Sequence, residues 1–442
     1  MSWTIFTTRS LSCPIKNNIA YVQMRKNYKI IRDSIHGDIK LEGVFKELLD
    51  RPELQRLGSI KQLGLAYQVF PGAHHTRLEH SLGAFHMASM IAQTLALPEH
   101  LANHFRCASL LHDIGHGPFS HTLESILRER YNVDHVDLTE KLIMGDYNIF
   151  QNHELSFIRD VTTVSSLLDS FDFDKKMLVD IIRGKDQKNP FLGELLNSVV
   201  DVDQLDYLLR DSQYTGVAYG MIDSQRFTQT VNVYDNHLAL DRKGVGVVEN
   251  ILMARTLMYS SVYFHKTVRI AELMLSKTME SVPDLQPFEF FKLTDGELIE
   301  TLKNKGEYQK EIITRLKYRE LFKQVYAVLP PDQTDHSRDI VKRLENIGFR
   351  RYVEKEFEKT LSIPKGHVII DVPYLDLHQA EPRIQEIDMP VIENESIKRL
   401  TNFTPVAQAI GMRKIPDWDL MIISDEKYRD VIEKNAYKIL FS

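Results

Sequence analysis

Cysteine is scarce in this chain of 442 residues, which contains only Cys13 and Cys107. Two cysteines build neither a disulfide framework nor a cysteine-based zinc site, so their scarcity predicts a protein of the reducing cytoplasm. No stretch approaches the roughly 20 apolar residues of a membrane span, and we expect no membrane partner. The first two dozen residues lack the apolar core of a signal peptide, and Met24 is an alternative start.

Charge of one sign is also in short supply, since the formal net charge is −6. Nothing global therefore favours a nucleic-acid partner, although binding to nucleic acid is not excluded. The composition, with 43% hydrophobic and 26% charged residues, is ordinary for a soluble globular enzyme. In the basic stretches 303–323 and 342–351, acidic residues are interleaved, which favours solvated helical faces over binding patches.

Apolar spacing predicts helices over most of residues 31–279. The predicted helices are residues 44–57 with an interruption at Pro52, 81–96, 103–114, 199–211 and one long helix at 248–280. Helices are expected to continue to about residue 359, with a break at 329–332. Strands are then expected at 366–373, 390–392 and 420–423. The predicted organisation is an N-terminal extension (1–28), a helical catalytic domain (29–285) and a smaller α+β region (286–442).

The most informative stretch is residues 110–121, LLHDIGHGPFSH. It places His112 and Asp113 side by side on a predicted buried helix, with His116 and His121 shortly after. A carboxylate behind an apolar lead-in is costly to bury unless something pairs with it. Imidazole and carboxylate together suit Fe, Mn, Zn or Mg. The glycines and the proline in this stretch predict a turn that brings the later histidines to the same place.

A second polar group lies on the predicted helix 199–211. Asp203, Asp206, Tyr207, Arg210 and Asp211 fall on one face of this helix. On most helices such a stripe is a solvated surface. Here the flanking residues are strongly apolar, so the helix is expected to be buried and its polar face to need a metal, phosphate or sugar as partner.

The long apolar helix at 248–280 carries a third stripe, formed by Arg255, Tyr259, Tyr263 and Lys266. Arginine and lysine suit phosphate oxygens, and a tyrosine ring can stack on a sugar or base. Taken alone, this stripe is better explained by aromatic core packing with surface cations. His80, taken alone, is likewise an ordinary polar residue at the start of an amphipathic helix.

The three groups are connected by one conditional argument. If two histidines and two aspartates hold a metal, an octahedral ion keeps places for water and a substrate phosphate oxygen. Water on such an ion becomes acidic enough to supply hydroxide near neutral pH. Nearby cations would offset transition-state charge, and a free histidine could protonate the leaving oxygen.

The sequence resembles the HD-domain phosphohydrolases, whose H…HD…D motif is matched by His80, the His112–Asp113 pair and Asp203. Longer strings resemble the deoxynucleoside triphosphate triphosphohydrolases of the human SAM-and-HD-domain type. These strings are residues 33–37, 60–64, 69–73, 77–83, 112–121, 203–211 and 263–266. The likeness covers about residues 29–280 and includes no SAM domain. It implies a mainly α fold, with an HD-domain helical catalytic core and a smaller α+β C-terminal region.

The resemblance implies a phosphoric ester hydrolase that cleaves a deoxynucleoside triphosphate (dNTP) to deoxynucleoside and inorganic triphosphate. It implies a divalent metal, with Fe, Mn or Mg preferred and Zn or Ni as alternatives. The implied metal ligands are His80, His112, Asp113 and Asp203. The implied catalytic residues near the attacked α-phosphorus are His116, Glu124 and His135, with His121 as the acid for the 5′-oxygen. Glu124 stands where the family has aspartate.

The resemblance also implies the substrate contacts. Arg77 and Arg255 match phosphate contacts, and Gln204 replaces a phosphate-gripping lysine of the family. The implied sugar-facing and base-facing residues are Gln62, Leu63, Tyr207, Asp211 and Tyr263.

An activating-nucleotide site is implied at Lys29, Asp33, Asp50 and Gln55. Gly58 replaces an arginine that helps to read guanine in the family, so activation is expected without guanine specificity. Because activator sites in this family lie between subunits, the resemblance implies a homo-oligomer, either a dimer or a tetramer.

Two alternatives remain open. One is an HD-domain phosphohydrolase that acts on nucleoside monophosphates or cyclic nucleotides. The other is a non-catalytic nucleotide sensor or nucleic-acid-binding protein on the same scaffold. Tyr207, Asp211, Arg255 and Tyr263 favour the triphosphate, while Gln204 weakens that interpretation. Retention of all four metal-ligand positions argues against a sensor.

Overall fold

Helices dominate the part of the chain that the computed structural model describes, which confirms the predicted mainly α fold. The described residues are 27–441 without 121–123, 125, 127, 129, 130, 152, 283–286, 330–334, 374–387, 395, 412–414 and 416. The expected acid His121 therefore lies outside the described residues. Within them, every helix is too short or too polar to cross a membrane.

The helices pack in chain order around a long central core. They are α1 (Val44–Leu49), α2 (Pro52–Arg56), α3 (Arg77–Thr94), α4 (Glu99–Leu111), α5 (His135–Met144), α6 (Val164–Ser170), α7 (Lys175–Ile182), α8 (Pro190–Leu196), α9 (Val202–Thr215), α10 (Ser224–Thr228), α11 (Val245–Met258), α12 (Lys266–Glu280), α13 (Pro287–Lys292), α14 (Asp295–Lys303), α15 (Glu307–Lys317), α16 (Asp335–Leu344), α17 (Ile347–Leu361), α18 (Val406–Gly411) and α19 (Arg429–Phe441).

The strands form three small sheets. They are β1 (Tyr28–Asp33), β2 (Gly37–Glu42), β3 (Val231–Tyr234), β4 (His237–Asp241), β5 (Lys323–Val328), β6 (Val368–Asp371), β7 (Pro390–Glu393), β8 (Ser396–Arg399) and β9 (Leu420–Ser424). The strand orders are β1-β2, β3-β4-β7-β8 and β5-β9-β6. Neighbouring strands are antiparallel except β4 and β7, which run parallel with Leu240 opposite Val391. The strands predicted at 366–373, 390–392 and 420–423 are present as β6, β7 and β9.

Two predictions of continuous helix are wrong. The region 31–279 also contains the hairpins β1–β2 and β3–β4, and the expected helical run to residue 359 is interrupted by β5. The turn between β1 and β2 is built by Asp33, whose Oδ1 accepts the N–H groups of Ile35 and His36 at 2.9 and 2.8 Å. Gly37 then adopts φ 76, a backbone conformation that glycine reaches without strain.

The predicted single helix at 248–280 is also wrong, because α11 ends at Met258 and α12 begins at Lys266. The residues between them form a π-helical turn, Tyr259–Tyr263, followed by Phe264 and the N-cap His265. A π turn changes the direction in which the following side chains project. Here it accompanies a hydrogen bond from Tyr263 Oη to Asp211 Oδ2 at 2.7 Å.

Helices α3, α4 and α9 form the scaffold of the site. Helix α3 begins with a capping box between Thr76 and Glu79, which fixes its first turn. Gly83 permits α3 to approach α9 closely, since a Cβ at this position would lie 1.7 Å from Asp206 Oδ1. The three helices therefore meet with their polar residues turned towards one another.

The apolar core continues from the helical part into the C-terminal part of the chain. Met389, Val391, Leu400 and Ile410 belong to the same buried cluster as α3 and α4. A second cluster joins α12 to one face of the sheet β5-β9-β6, where Met421 and Ile423 are fully buried. The C-terminal residues therefore contribute to the support of the helical core rather than forming a separate appendage.

Candidate active site

Four residues from three helical segments converge at one place. His80 comes from α3, His112 and Asp113 from the end of α4, and Asp203 from the first turn of α9. His80 Nε2 lies 3.0 Å from Asp203 Oδ1 and 3.3 Å from His112 Nε2. His112 Nε2 lies 3.3 Å from Asp113 Oδ1. These are the four residues predicted as metal ligands, and the structure brings them together.

The environment of this cluster attracts cations. Burial lowers the pKa of His80, but Asp203 and Asp206 outweigh it and raise this pKa to about 10. Two imidazoles and two carboxylates around one point form a donor set that suits a divalent ion. The buried group His80, His112 and Asp113 has its ligand atoms close enough for one metal to bind all three. The residues present therefore fit the metal that the sequence predicts.

Each histidine of the cluster is held from behind by its other ring nitrogen. His80 Nδ1 lies 2.8 Å from Asp206 Oδ2, and His112 Nδ1 lies 2.8 Å from the carbonyl oxygen of Ser109. Such outer partners fix the ring orientation and leave Nε2 as the ligand atom. The role of Asp206 was not assigned from the sequence, although its place on the polar face of α9 was visible there.

The outer partner Asp206 is itself part of a buried chain. Arg210 donates to both of its oxygens at 2.9 Å, and His36 Nε2 lies 2.7 Å from Oδ1. Arg210 Nη1 also donates to Asp33 Oδ2 at 2.9 Å. The chain Asp33–Arg210–Asp206–His80 thus connects the β1–β2 hairpin to the cluster. Asp33, expected at an activator site, is engaged here instead with the interior of the protein.

A pair of stacked imidazoles adjoins the metal-ligand cluster. The rings of His116 and His135 lie 3.8 Å apart at an interplanar angle of 12°. His116 Nε2 is 3.3 Å from Asp113 Oδ1, and His135 Nδ1 is 3.1 Å from Glu124 Oε2. Asp113, His116 and His135 form a second group whose ligand atoms lie close together.

The two stacked histidines titrate in opposite directions. Burial, together with the charge of Arg77, lowers the pKa of His116 well below its usual value. Burial also lowers the pKa of His135, but the Glu124 carboxylate outweighs it and leaves that pKa raised. Neighbouring groups with pKa values pushed apart are a common arrangement for acid–base chemistry.

Arg77 is buried beside the same cluster. Its Nη1 donates to Asp113 Oδ2 at 2.6 Å and its Nε donates to Ser120 Oγ at 2.7 Å. The remaining nitrogen, Nη2, is buried without a hydrogen-bond partner among the described residues. A buried guanidinium with one uncommitted donor is suited to an anionic ligand such as a phosphate oxygen.

A cavity of about 240 Å³ adjoins the stacked histidines. Glu124, His135 and Ser120 line it, together with the predicted substrate residues Gln62, Leu63, Tyr207, Asp211 and Tyr263. Asp211 is held from two sides, because His75 Nε2 lies 2.7 Å from Oδ1 and Tyr263 Oη donates to Oδ2. His75 was missed by the sequence analysis, since it lies far from Asp211 along the chain. The lining also includes Arg351, Glu354 and Ile370 of the C-terminal part.

Two predicted phosphate contacts are placed differently. Arg255 and Gln204 are both fully buried, and neither is among the described residues that line the cavity. Arg255 Nη1 donates to the carbonyl oxygen of Val199 at 3.1 Å, and Gln204 Nε2 donates to that of Ser198 at 3.3 Å. In this structure both side chains contact the segment that precedes α9.

The remaining activator-site residues lie around β1 and α1. Lys29 forms an ion pair with Asp50 at the partly exposed surface, and Gln55 Nε2 donates to the carbonyl oxygen of Leu49 at 2.7 Å. The structure therefore groups Lys29, Asp50 and Gln55 near one another but directs Asp33 to Arg210.

The comparisons with known proteins agree with this geometry. Residues 77–211 match the HD domain, and residues 222–441 match the HD associated region. The uncharacterized protein MJ1154 of Methanocaldococcus jannaschii is 33% identical over 92% of this chain and 82% of its own length. This chain belongs to the HD-domain phosphohydrolase family. The HD domain match extends from Arg77 to Asp211 and so contains every residue of the metal-ligand cluster.

Several named relatives share this HD-domain architecture. The deoxynucleoside triphosphate triphosphohydrolase SAMHD1 of Homo sapiens is 28% identical over 78% of this chain and 60% of its own length. The SAMHD1 homolog of Dictyostelium discoideum is 30% identical over 69% of this chain and 61% of its own. The crystal structure of a hypothetical protein from Aquifex aeolicus superposes with a TM-score of 0.70 at 28% identity, covering 92% of this chain and all of that one. HD domains are metal-dependent hydrolases, and the His/Asp cluster described above fits that chemistry.

Proposed function

We propose that this HD phosphohydrolase cleaves dNTPs to deoxynucleoside and inorganic triphosphate. The observation that carries the proposal is the shared cavity. Glu124 and His135, next to the metal-ligand cluster, line the same space as Asp211 and Tyr263, which offer a fixed carboxylate and an aromatic ring. The former suit a phosphate ester and the latter a sugar. The SAMHD1 relatives support the same substrate class.

The reaction would proceed by attack of water on the α-phosphorus and cleavage of the bond between that phosphorus and the 5′-oxygen. A divalent ion held by His80, His112, Asp113 and Asp203 supplies Lewis acidity at a phosphoryl oxygen. Arg77 Nη2, the uncommitted donor, binds a phosphate oxygen and stabilises the charge that develops there. The proton required by the departing 5′-oxygen comes from an imidazole, for which His121 remains the sequence-based prediction and His135 the described alternative.

The sugar would be selected by the pair Asp211 and Tyr263. Each Asp211 oxygen already accepts one hydrogen bond, from His75 or from Tyr263, so the carboxylate is fixed in place. It still has lone pairs that can accept a hydroxyl of the deoxyribose. The Tyr263 ring, which meets Tyr207 edge-on at 6.0 Å, would occupy the space that a 2′-hydroxyl needs.

The proposal extends to regulation and assembly. Lys29, Asp50 and Gln55 would contact an activating nucleotide, and the enzyme would work in the cytoplasm as a homo-oligomer. The partly exposed Lys29–Asp50 pair leaves both charged groups accessible for this role.

The test is product analysis with purified protein, each of the four dNTPs, and Mn²⁺ or Mg²⁺, with and without a second nucleotide. We expect deoxynucleoside and intact triphosphate in a one-to-one ratio, and no turnover by the double variant His112→Ala, Asp113→Ala. A requirement for the second nucleotide would support an activator site. Release of phosphate or pyrophosphate, or turnover only of monophosphates or cyclic nucleotides, would contradict the proposal and favour another HD phosphohydrolase activity.

A further inference from the structure

Asp295 is a buried carboxylate of the HD associated region that bonds to two segments of the catalytic core. It is the first residue of α14 and is 4% exposed. Its Oδ2 accepts the backbone N–H of Lys61 at 3.0 Å, and its Oδ1 accepts the backbone N–H of Phe119 at 3.0 Å. Each carboxylate oxygen thus holds a different wall of the cavity, next to Gln62 on one side and Ser120 on the other.

The helix that carries Asp295 does not need this carboxylate. The N-terminus of α14 is already capped by Thr294 and Glu297, with Glu297 Oε2 accepting the N–H of Thr294 at 2.6 Å. Burial raises the pKa of Asp295, while the two backbone hydrogen bonds and the charges of Lys61 and Arg77 act in the opposite direction. A carboxylate in so dry a place is costly unless it is bonded, and its bonds all lead away from its own helix.

The first segment held by Asp295 leads directly to Arg77. Lys61 forms an isolated antiparallel bridge with Thr76, the N-cap of α3. The N–H of Gln62 donates to the carbonyl oxygen of His75 at 3.0 Å, and the N–H of Arg77 donates to that of Ile60 at 3.0 Å. Fixing Lys61 therefore fixes the backbone from which the Arg77 side chain starts.

The second segment reaches the Arg77 side chain at its other end. Ser120, which follows Phe119, accepts a hydrogen bond from Arg77 Nε at 2.7 Å. Phe119 itself has φ 48, a left-handed conformation that a phenylalanine rarely adopts and that surrounding contacts must maintain. The hydrogen bond from its N–H to Asp295 is such a contact.

We propose that Asp295 is a positioning residue of this enzyme, which aims the Arg77 guanidinium at the substrate phosphate by fixing Lys61 and Phe119 together. The inference rests on the proposed function in one respect, namely that Arg77 binds an anionic phosphate oxygen. It adds that the HD associated region takes part in substrate binding through a residue that need not touch the substrate.

The variant Asp295→Asn tests this inference. The amide keeps one acceptor oxygen but presents an NH₂ group to the second backbone N–H, so one of the two segments is released. Because small misplacements of a charged contact are costly, we expect affinity for inorganic triphosphate and kcat/KM for dNTPs to fall roughly 10- to 100-fold. Bound metal should not change. Isothermal titration of Mn²⁺-loaded protein with inorganic triphosphate gives the affinity without any turnover. The matched control is Glu297→Gln, which alters only the cap of the same helix and should leave both values unchanged.

A double-mutant cycle separates positioning from general support of the fold. Arg77→Lys removes the forked guanidinium while keeping the charge. If Asp295 acts through Arg77, adding Asp295→Asn to Arg77→Lys should cost little more than Arg77→Lys alone. Losses in triphosphate affinity that add across the cycle, or a wild-type affinity in Asp295→Asn, would overturn the inference.

Two further outcomes are assigned in advance. Should Asp295→Asn fail to fold, Ser120→Ala removes the Arg77 Nε partner directly and should weaken triphosphate binding in the same way; unchanged affinity in that variant also overturns the inference. A wild-type protein that binds triphosphate but turns over no dNTP contradicts the proposed function while the cycle still tests Asp295. A wild-type protein that binds no triphosphate overturns the role of Asp295.

Discussion

Asp206 governs the metal-ligand cluster without facing it. The carboxylate is fully buried and is bonded to His80, His36 and Arg210. Burial alone would raise its pKa, but the charge of Arg210 and the hydrogen bonds hold this pKa well below its usual range. The residue is therefore a permanent anion behind His80, which keeps a proton on Nδ1 and leaves Nε2 free to bind a cation.

The variant Asp206→Asn should weaken metal binding while leaving the four ligand residues in place. The amide has no charge, and its NH₂ group cannot accept from Arg210, so the orientation and basicity of His80 both suffer. We expect metal affinity to fall about 10- to 100-fold, measured by competition with a coloured chelator. Asp223→Asn, at the cap of the distant helix α10, serves as control. Equal affinities in the two variants would remove Asp206 from this role.

Single residues also show how far sequence analysis reaches. The motif identified His80, His112, Asp113 and Asp203, because their spacing is fixed within short helices, and the structure groups them. The pairing of His80 with Asp206 could not be predicted, since it depends on how α3 and α9 pack. The same limit explains Arg255, which a linear pattern placed at the phosphate and the structure places against Val199.

Among the elements, α3 and α9 are set at a distance that only glycine permits. A Cβ on Gly83 would meet Asp206 Oδ1 at 1.7 Å and Arg210 Nη2 at 2.6 Å. These atoms are held by other buried bonds and cannot move aside cheaply. The contact between the two helices therefore depends on the absence of one methyl group.

The variant Gly83→Ala should destabilise the protein and disturb the cluster together. Overpacking of this kind costs about 1–3 kcal/mol or more, and we expect a lower Tm and loss of bound metal. The control is Gly246→Ala on α11, where a Cβ would meet nothing within 4 Å. In a helix this change should be neutral or stabilising by up to about 1 kcal/mol. Thermal unfolding with metal analysis distinguishes the two, and similar behaviour of both variants would contradict the packing argument.

The elements predicted correctly are those with a strong local pattern. Helices α3, α4 and α9 have clear apolar spacing, and β6, β7 and β9 are apolar runs. The break between α11 and α12 left no such signal, because the apolar pattern continues through Val262 and Phe264. Strand β5 lies in a stretch rich in lysine and glutamate, and only its pairing with β9 explains it as a strand.

At the scale of the molecule, the β1–β2 hairpin is fastened to the helical core by charge. Asp33 accepts from Arg210 in the interior, whereas Asp38 on the same hairpin is exposed and pairs with Arg32 at the surface. Burial would raise the pKa of Asp33, but the hydrogen bond and charge of Arg210 leave it lowered. The folded protein therefore keeps this carboxyl ionised at a pH where the unfolded chain would bind a proton.

This difference makes one part of the stability dependent on pH. A lowered carboxyl pKa stabilises the fold above the unfolded value of about 3.9, and that contribution is lost as the pH falls through the folded pKa. Asp33→Asn should lower the free energy of unfolding by roughly 1–3 kcal/mol at pH 7. The Tm difference from wild type should shrink as the pH approaches 3. Asp38→Asn should show neither effect, and a constant Tm difference at all pH values would refute the assignment.

The sheet β3-β4-β7-β8 draws its strands from two distant parts of the chain, since β4 ends at Asp241 and β7 begins at Pro390. On the ribosome, all four metal-ligand residues have been made once Asp203 is added, but this sheet stays half built until Arg399 has followed. At about 5–20 residues per second, the intervening stretch takes roughly 10–40 s to synthesise. Throughout that interval the nascent chain carries its ligand residues while the outer edge of β4 awaits its partner, so this edge is where a chaperone would have most to protect.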